Sequence, residues 1–175
     1  MYFSKIYRTM IMITMSLGLS FVYSHEDIAQ IELANNIKEL LHSVATPEGL
    51  KTVEMRQDGL FMDVGTPLSQ MISGLTDQKV LADIIRYINA NLSYETQNKI
   101  KWYAPLPFLG MVIPSDVQTS ISRLSFPERV LYIFIATKPK GDLVVNDGLQ
   151  PLYNNFPRNI RAMLKENGFV SQEQY

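Results

Sequence analysis

The sequence predicts an all-α protein, with a single compact domain of six to eight short helices after a cleaved signal peptide. Three observations favour this fold class. Helix start signals recur, in which Thr, Ser or Pro stands directly before an acidic residue or a proline. Apolar residues recur at intervals of three and four, whereas alternating strand patterns are scarce. The composition, 46% hydrophobic and 19% charged, is sufficient for a core.

The first 24 residues have the pattern of a secretory signal peptide. Lys5 and Arg8 form a positive amino-terminal region, residues 9–22 are largely apolar, and Val22 and Ser24 suit positions −3 and −1 of a cleavage site. The apolar run is shorter than the roughly 20 residues that a membrane span needs. We therefore expect cleavage after Ser24, export to a bacterial periplasm or the exterior, and no membrane span afterwards. The expected division is a signal peptide (1–24), an all-α globular domain (25–170) and a polar tail (171–175).

The first half of the chain predicts a succession of helices. The longest runs from Glu26 to Ala45, with an acidic first turn. Its apolar residues predict one buried stripe: Ile28, Ile31, Ala34, Ile37, Leu41 and Val44. Further helices are expected to begin at Thr46-Pro47 (to about Gln57), Thr66-Pro67 (Leu68 to Leu75), Thr76-Asp77 (with Val80, Leu81, Ile84, Ile85 and Ile88 buried) and Ser93 (toward Trp102).

A proline-rich apolar segment, residues 104–114, follows. Its three prolines resist a regular helix, so we expect a loop or an extended crossing. Two interpretations stay open: the segment is buried beneath the helices, or it is an exposed docking surface. On the second interpretation the candidate partner-binding residues are Trp102, Tyr103, Leu106, Phe108, Met111 and Ile113.

The second half predicts helices that begin at Ser115-Asp116 and Pro127-Glu128. Residues 129–136 are apolar almost without period, which fits either a buried helix or a strand; the Pro-Glu start favours a helix. In the last helix Pro157 suits the first helical position and Gly168 the left-handed position after the end. The inner face of this helix is expected to hold Ile160, Met163 and Leu164, with Phe169 closing its end.

No pattern in the chain predicts a catalytic, metal or cofactor site. His25 and His42 would lie about 25 Å apart on one helix, too far to bind one ion within a monomer. The absence of cysteine excludes thiol chemistry and disulfides. Spacing selects no carboxylate pair among the acidic candidates, which are Glu95 with Asp116, or Glu54, Asp58 and Asp63.

The formal net charge of −1 gives no indication of a nucleic-acid partner. Arg158, Arg161 and Lys165 share one face of the last helix. Either this face is simply solvated, with cations that the helix dipole favours, or it meets an acidic partner.

Four pieces of the second half occur in an order typical of one small family. They are Glu128 to Tyr132, Val145 to Leu149, Leu152 to Asn155, and Ile160 to Gly168. Residues 125–168, about a quarter of the chain, thereby resemble a small all-α bacterial family of unknown general function that includes a DNA-mimic protein. The sequence departs from the family at Pro151 and at an apparent insertion, Lys138 to Gly141. The resemblance implies an all-α fold and a protein-binding role. It does not imply DNA mimicry, which needs a dense acidic surface.

The sequence therefore predicts an exported, non-enzymatic protein of the cell envelope or extracellular space. Its expected partner is another protein or a second copy of itself. The alternative is an exported hydrolase that uses an unidentified carboxylate pair. The two differ in a visible way: a hydrolase needs a deep polar pocket with two acids, whereas a binding protein needs an exposed apolar patch.

Overall fold

A helix that is apolar almost all round occupies the centre of the fold. This helix, α6 (Phe126–Ala136), buries every residue except Glu128 and Arg129. The computed structural model describes residues 24–45, 67–99, 113–141, 143–146 and 148–171. Within these ranges the other helices are α1 (His25–Ala45), α2 (Pro67–Ser73), α3 (Gln78–Asn91), α4 (Tyr94–Lys99), α5 (Ser115–Ser122), α7 (Gln150–Asn154) and α8 (Arg158–Glu166).

The described residues form one compact all-α fold around α6, and the predicted fold class is confirmed. Helices α2, α3 and α7 pack against α6, α1 packs across α2 and α3, and α5 packs against α8. The core is continuous from Ile37 and Leu41 of α1 to Leu164 of α8, all fully buried. No strand occurs in these ranges; a single parallel bridge joins Leu143 to Val170.

Both ends of α6 satisfy their polar backbone groups locally. At the start, the Glu128 carboxylate accepts hydrogen bonds from the backbone N–H and the hydroxyl of Ser125, each at 2.7 Å. At the end, the Thr137 hydroxyl donates to the Ile133 carbonyl at 2.8 Å. Because burial leaves few waters for these groups, such local partners are needed for so apolar a helix.

Two cations, Arg129 in the first turn of α6 and Lys138 just after its end, cap the carboxyl ends of α5 and α2. Arg129 donates from Nε to the Leu124 carbonyl at 2.7 Å and from Nη2 to the Ser122 carbonyl at 2.6 Å, where α5 ends. Lys138 Nζ donates to the Ser73 carbonyl at 3.1 Å and to the Leu75 carbonyl, where α2 ends. Partial burial lowers the pKa of both side chains, because it penalises their charged forms. The carbonyl groups at each helix end attract the positive charge, which offsets this penalty.

The carboxyl end of α8 closes as the sequence predicts. Gly168 has a φ of 73°, its N–H donates to the Lys165 carbonyl at 3.0 Å, and the Phe169 N–H donates to the Leu164 carbonyl at 2.9 Å. This is a Schellman motif, which needs a residue that tolerates positive φ. Buried Phe169 then leads into Val170 and its bridge to Leu143.

Several predicted helix boundaries differ from the structure. Helix α7 is absent from the prediction, because five residues that include Pro151 show no measurable period. Pro157 is the N-cap of α8, with ψ at 143°, and not its first helical residue. The starts at Asp77 and Ser93 are confirmed, while the helix expected from Thr46 lies outside the described residues.

None of the described helices combines the length and the apolar character that a membrane crossing requires. The longest, α1, has 21 residues, but acidic and amide side chains recur along it.

Tyr132 provides a test of the packing around α6. Its side chain is 2% exposed, its hydroxyl has no hydrogen-bond partner, and burial raises its pKa to about 12 from an ordinary value of 10.0. Since an unpaired buried hydroxyl is costly, we expect Tyr132→Phe to raise the free energy of unfolding by about 1 kcal/mol at neutral pH.

The difference in the free energy of unfolding between the wild type and Tyr132→Phe should depend on pH. The unfolded chain ionises Tyr132 at a lower pH than the folded chain, so the wild type loses stability as the pH rises from 10 toward 12. Relative to Tyr132→Phe, it should lose about 1 kcal/mol between about pH 9 and pH 11, measured by urea unfolding. A wild type that is more stable than the variant at neutral pH would contradict the unpaired hydroxyl.

Candidate functional site

The solvent-facing side of α1 exposes two isoleucines. Ile28 is 42% exposed and Ile31 is 43% exposed, although the opposite side of the same helix is fully buried at Ile37 and Leu41. Polar residues continue this exposed side toward the carboxyl end of α1. We define the outer face of α1 as the exposed residues Ile28, Ile31, Glu32, Asn35 and Glu39.

The prediction that Ile28 and Ile31 belong to one buried stripe is wrong. Each residue of an α-helix turns about 100°, so each step of three falls about 60° short of a full turn. Three such steps separate Ile28 from Ile37, which places the two residues on opposite sides of α1. Ala34, Ile37 and Leu41 form the buried side, as predicted, and the Val44 side chain lies outside the described part of the chain.

Of the predicted docking residues, only Ile113 lies within the described ranges. It is 3% exposed and belongs to the core just before α5, so it contributes to packing and not to a surface. The other five, Trp102, Tyr103, Leu106, Phe108 and Met111, lie outside the described residues, and their docking role stays a prediction.

A polar cleft of about 520 Å³ opens to solvent where the amino-terminal ends of α1 and α3 meet. No sequence signal indicated it, because its residues come from three separate segments. It is lined by Glu26, Asp27, Gln30, Thr76, Asp77, Gln78, Lys79 and Asn146.

Two carboxylates of this cleft cap helices. Asp27 accepts from the Ser24 backbone N–H at 2.9 Å, and the Ser24 hydroxyl in turn accepts from the Asp27 N–H at 3.1 Å. This reciprocal pair is a capping box for α1. Asp77 accepts from the Lys79 N–H at 2.7 Å and caps α3. Both carboxylates therefore have a structural role at the positive ends of helix dipoles.

Two glutamines hold the walls of the cleft together. Gln30 donates to the Gly74 carbonyl at 3.2 Å and accepts from the Thr76 N–H at 2.7 Å. Gln78 uses its amide in the same way on the 144–146 segment, donating to the Val144 carbonyl at 2.8 Å and accepting from the Asn146 N–H at 2.9 Å. Each side-chain amide thus donates to one backbone carbonyl and accepts from one backbone N–H of the segment opposite it.

The acidic candidates from the sequence do not gather in this cleft. Neither Glu95 nor Asp116 lines it, and Asp116 instead accepts a hydrogen bond from Asn159 of α8 at 3.1 Å. Glu54, Asp58 and Asp63 lie outside the described residues. Within the described ranges, no group of three or more His, Asp or Glu side chains is placed to hold a metal ion.

The cations of α8 lie on its solvent side, away from the buried Ile160, Met163 and Leu164. Arg158 is exposed, and Arg161 and Lys165 are partly exposed. None of the three forms an ion pair with another described residue. We call these three residues the cationic face of α8.

Comparison of the chain with protein-family models, with curated proteins and with solved structures gave no match. The resemblance of residues 125–168 to the family that includes a DNA mimic therefore stays a prediction.

The capping role of Asp77 can be separated from any chemical role of its charge. We expect Asp77→Ala to lower the free energy of unfolding by about 1 kcal/mol, because α3 loses its N-cap. Asp77→Asn keeps an oxygen that can accept from the Lys79 N–H, and it should stay within about 0.5 kcal/mol of wild type. Chemical denaturation of the wild type and the two variants measures their free energies of unfolding and hence their order of stability. An equal loss in both variants would show that the negative charge itself is required.

Proposed function

We propose that this protein is an exported, non-enzymatic protein of the cell envelope or extracellular space that binds a protein partner, either another protein or a second copy of itself. The observation that carries the proposal is the exposed isoleucine pair on the outer face of α1. Ile28 and Ile31 lie one turn apart on the same side, so one partner surface can cover both. Covering the remaining exposed area of each would contribute about 1 kcal/mol.

The hydrolase alternative has less support among the described residues. Its requirement is two acids in a deep polar pocket, with one in position to protonate a leaving group. The cleft at the ends of α1 and α3 is open to solvent, and Asp27 and Asp77 are held by the backbone N–H groups that they cap. A binding role needs no such pair, and it agrees with the exposed apolar residues on α1.

The proposal predicts that binding and folding respond differently to substitutions on α1. The double variant Ile28→Ser/Ile31→Ser should keep the melting temperature of the isolated protein within about 2 °C, because surface substitutions of this kind change stability little. When both proteins are tagged and incubated with envelope extracts, the double variant should capture much less partner protein than the wild type does. Quantitative mass spectrometry measures the captured amounts.

Two single variants are the matched controls. Tyr94→Ser changes a side chain that is 80% exposed on α4, and it should leave capture unchanged. Ile37→Ser introduces a hydroxyl into the buried side of α1, and it should lower the melting temperature strongly. Equal capture by the double variant and the wild type would contradict binding through the outer face of α1.

Export is a separate part of the proposal, supported by the charge and apolar pattern of residues 1–24. The intact mass of protein recovered from the periplasm or the medium should correspond to a chain that begins at His25 or within a few residues of it. Full-length protein retained in the cytoplasm would contradict export.

A further inference from the structure

The outer face of α1 presents two carboxylates at a fixed spacing. Glu32 and Glu39 are both exposed and lie seven residues apart, which is close to two helical turns. They therefore lie on the same side of α1, separated by about 10.5 Å along the axis. Asn35 lies between them, and Ile28 lies one turn before Glu32.

The cationic face of α8 repeats this spacing with the opposite charge. Arg158 and Lys165 are also seven residues apart, so their Cα atoms are separated by the same distance of about 10.5 Å along α8. Arg161 lies between them, and its Nε is buried without a hydrogen-bond partner. Ala162, on the same side, has a small side chain.

We propose that the outer face of α1 binds the cationic face of α8 on a second copy of this chain. Glu32 and Glu39 of one copy then lie opposite Arg158 and Lys165 of the other. The equal spacing allows this pairing for either relative direction of the two helices. Ile28 and Ile31 add apolar contact beside the charges. This inference rests on the proposed function, since it names the partner of the same α1 face.

The complementarity favours a second copy over an unrelated acidic or basic partner. Both halves of the contact are present on one molecule, and both are unpaired within it among the described residues. The contact joins two different faces, so it is heterologous: in a pair, one copy retains a free α8 face and the other retains a free α1 face. Association should therefore continue to increase with protein concentration.

Sedimentation velocity of the purified protein tests the contact. At low ionic strength the weight-average mass should rise with concentration. The rise should disappear at about 1 M salt, where the screening length falls to about 3 Å. Glu32→Lys/Glu39→Lys and Arg158→Glu/Lys165→Glu should each weaken self-association about tenfold or more, because like charges then oppose each other.

Mixing the two variants provides a stricter test. Each variant alone repels itself, but the reversed α1 of the first complements the reversed α8 of the second. An equimolar mixture should therefore recover association to near the wild-type level. Asp83→Lys/Arg86→Glu is the control, since it reverses an exposed ion pair on α3 and should leave self-association unchanged.

Three results would overturn the inference: no concentration-dependent mass at low salt, association that survives both reversals, or a mixture that fails to recover. Vesicles that contain phosphatidylglycerol provide a further outcome. If a monomeric wild type binds them and Arg158→Glu/Lys165→Glu does not, the face meets a lipid surface and the second-copy contact is wrong.

Failure of the inference can be distinguished from failure of the proposed function. A protein that does not self-associate, yet captures a partner that depends on Ile28 and Ile31, retains the proposed function and lacks only the second-copy contact. If the isoleucine variant also captures as the wild type does, both proposals are wrong.

Discussion

The burial of α6 on all sides is the constraint on which the rest of this fold depends. A helix that is apolar around its whole circumference must be covered from several directions, and here α2, α3 and α7 cover it. Two of these neighbours, α2 and α7, have seven and five residues, and a helix of fewer than about 12 residues is marginal in isolation. Their stability therefore comes from the contact with α6, since their own length cannot supply it. The charged residues of α6, Glu128 and Arg129, both lie in its first turn.

The same helix also organises the ends of its neighbours. Arg129 near the start of α6 reaches the carbonyls that end α5, and Lys138 just beyond its end reaches the carbonyls that end α2. The Lys138 ammonium additionally lies 4.6 Å from the ring centroid of Phe134 in α6. Removal of either cation would remove two hydrogen bonds to the carbonyls of a helix end. The apolar centre and the polar helix ends of this fold are therefore coupled through Arg129 in α6 and Lys138 just after it.

Much of the fold could be predicted from local sequence signals, because the physics at those positions is local. The Asp77 start of α3 and the Gly168 end of α8 each involve only a few neighbouring residues. The helical state of residues 129–136 is predicted only by Pro127 and Glu128 at its start, since an apolar run has no period, and the structure adds a capping box between Ser125 and Glu128. Helix α7 was missed because Pro151 and its short length hide any pattern.

The candidate sites were harder to predict, because they depend on three-dimensional placement. The cleft joins residues that are separated by up to 120 positions, from Glu26 to Asn146, and spacing alone cannot bring them together. The exposure of Ile28 follows from its position half a turn from Ile37, which a count of threes and fours does not reveal. The long-range contacts of Lys138 with Ser73 and Leu75 likewise have no local signal.

Ser24 has two roles that conflict: it caps α1, and it is the residue after which leader cleavage is expected. Cleavage at that bond would remove the hydroxyl that accepts from Asp27 and the carbonyl that accepts from the Ile28 N–H at 3.2 Å. It would also leave an ammonium group on His25, at the positive end of the helix dipole. The first turn would then lose a cap worth about 1 kcal/mol and tend to fray. A cut a few residues earlier would preserve the cap. The peptide bond that the protease cleaves therefore determines whether the first turn of α1, which presents Ile28, stays helical.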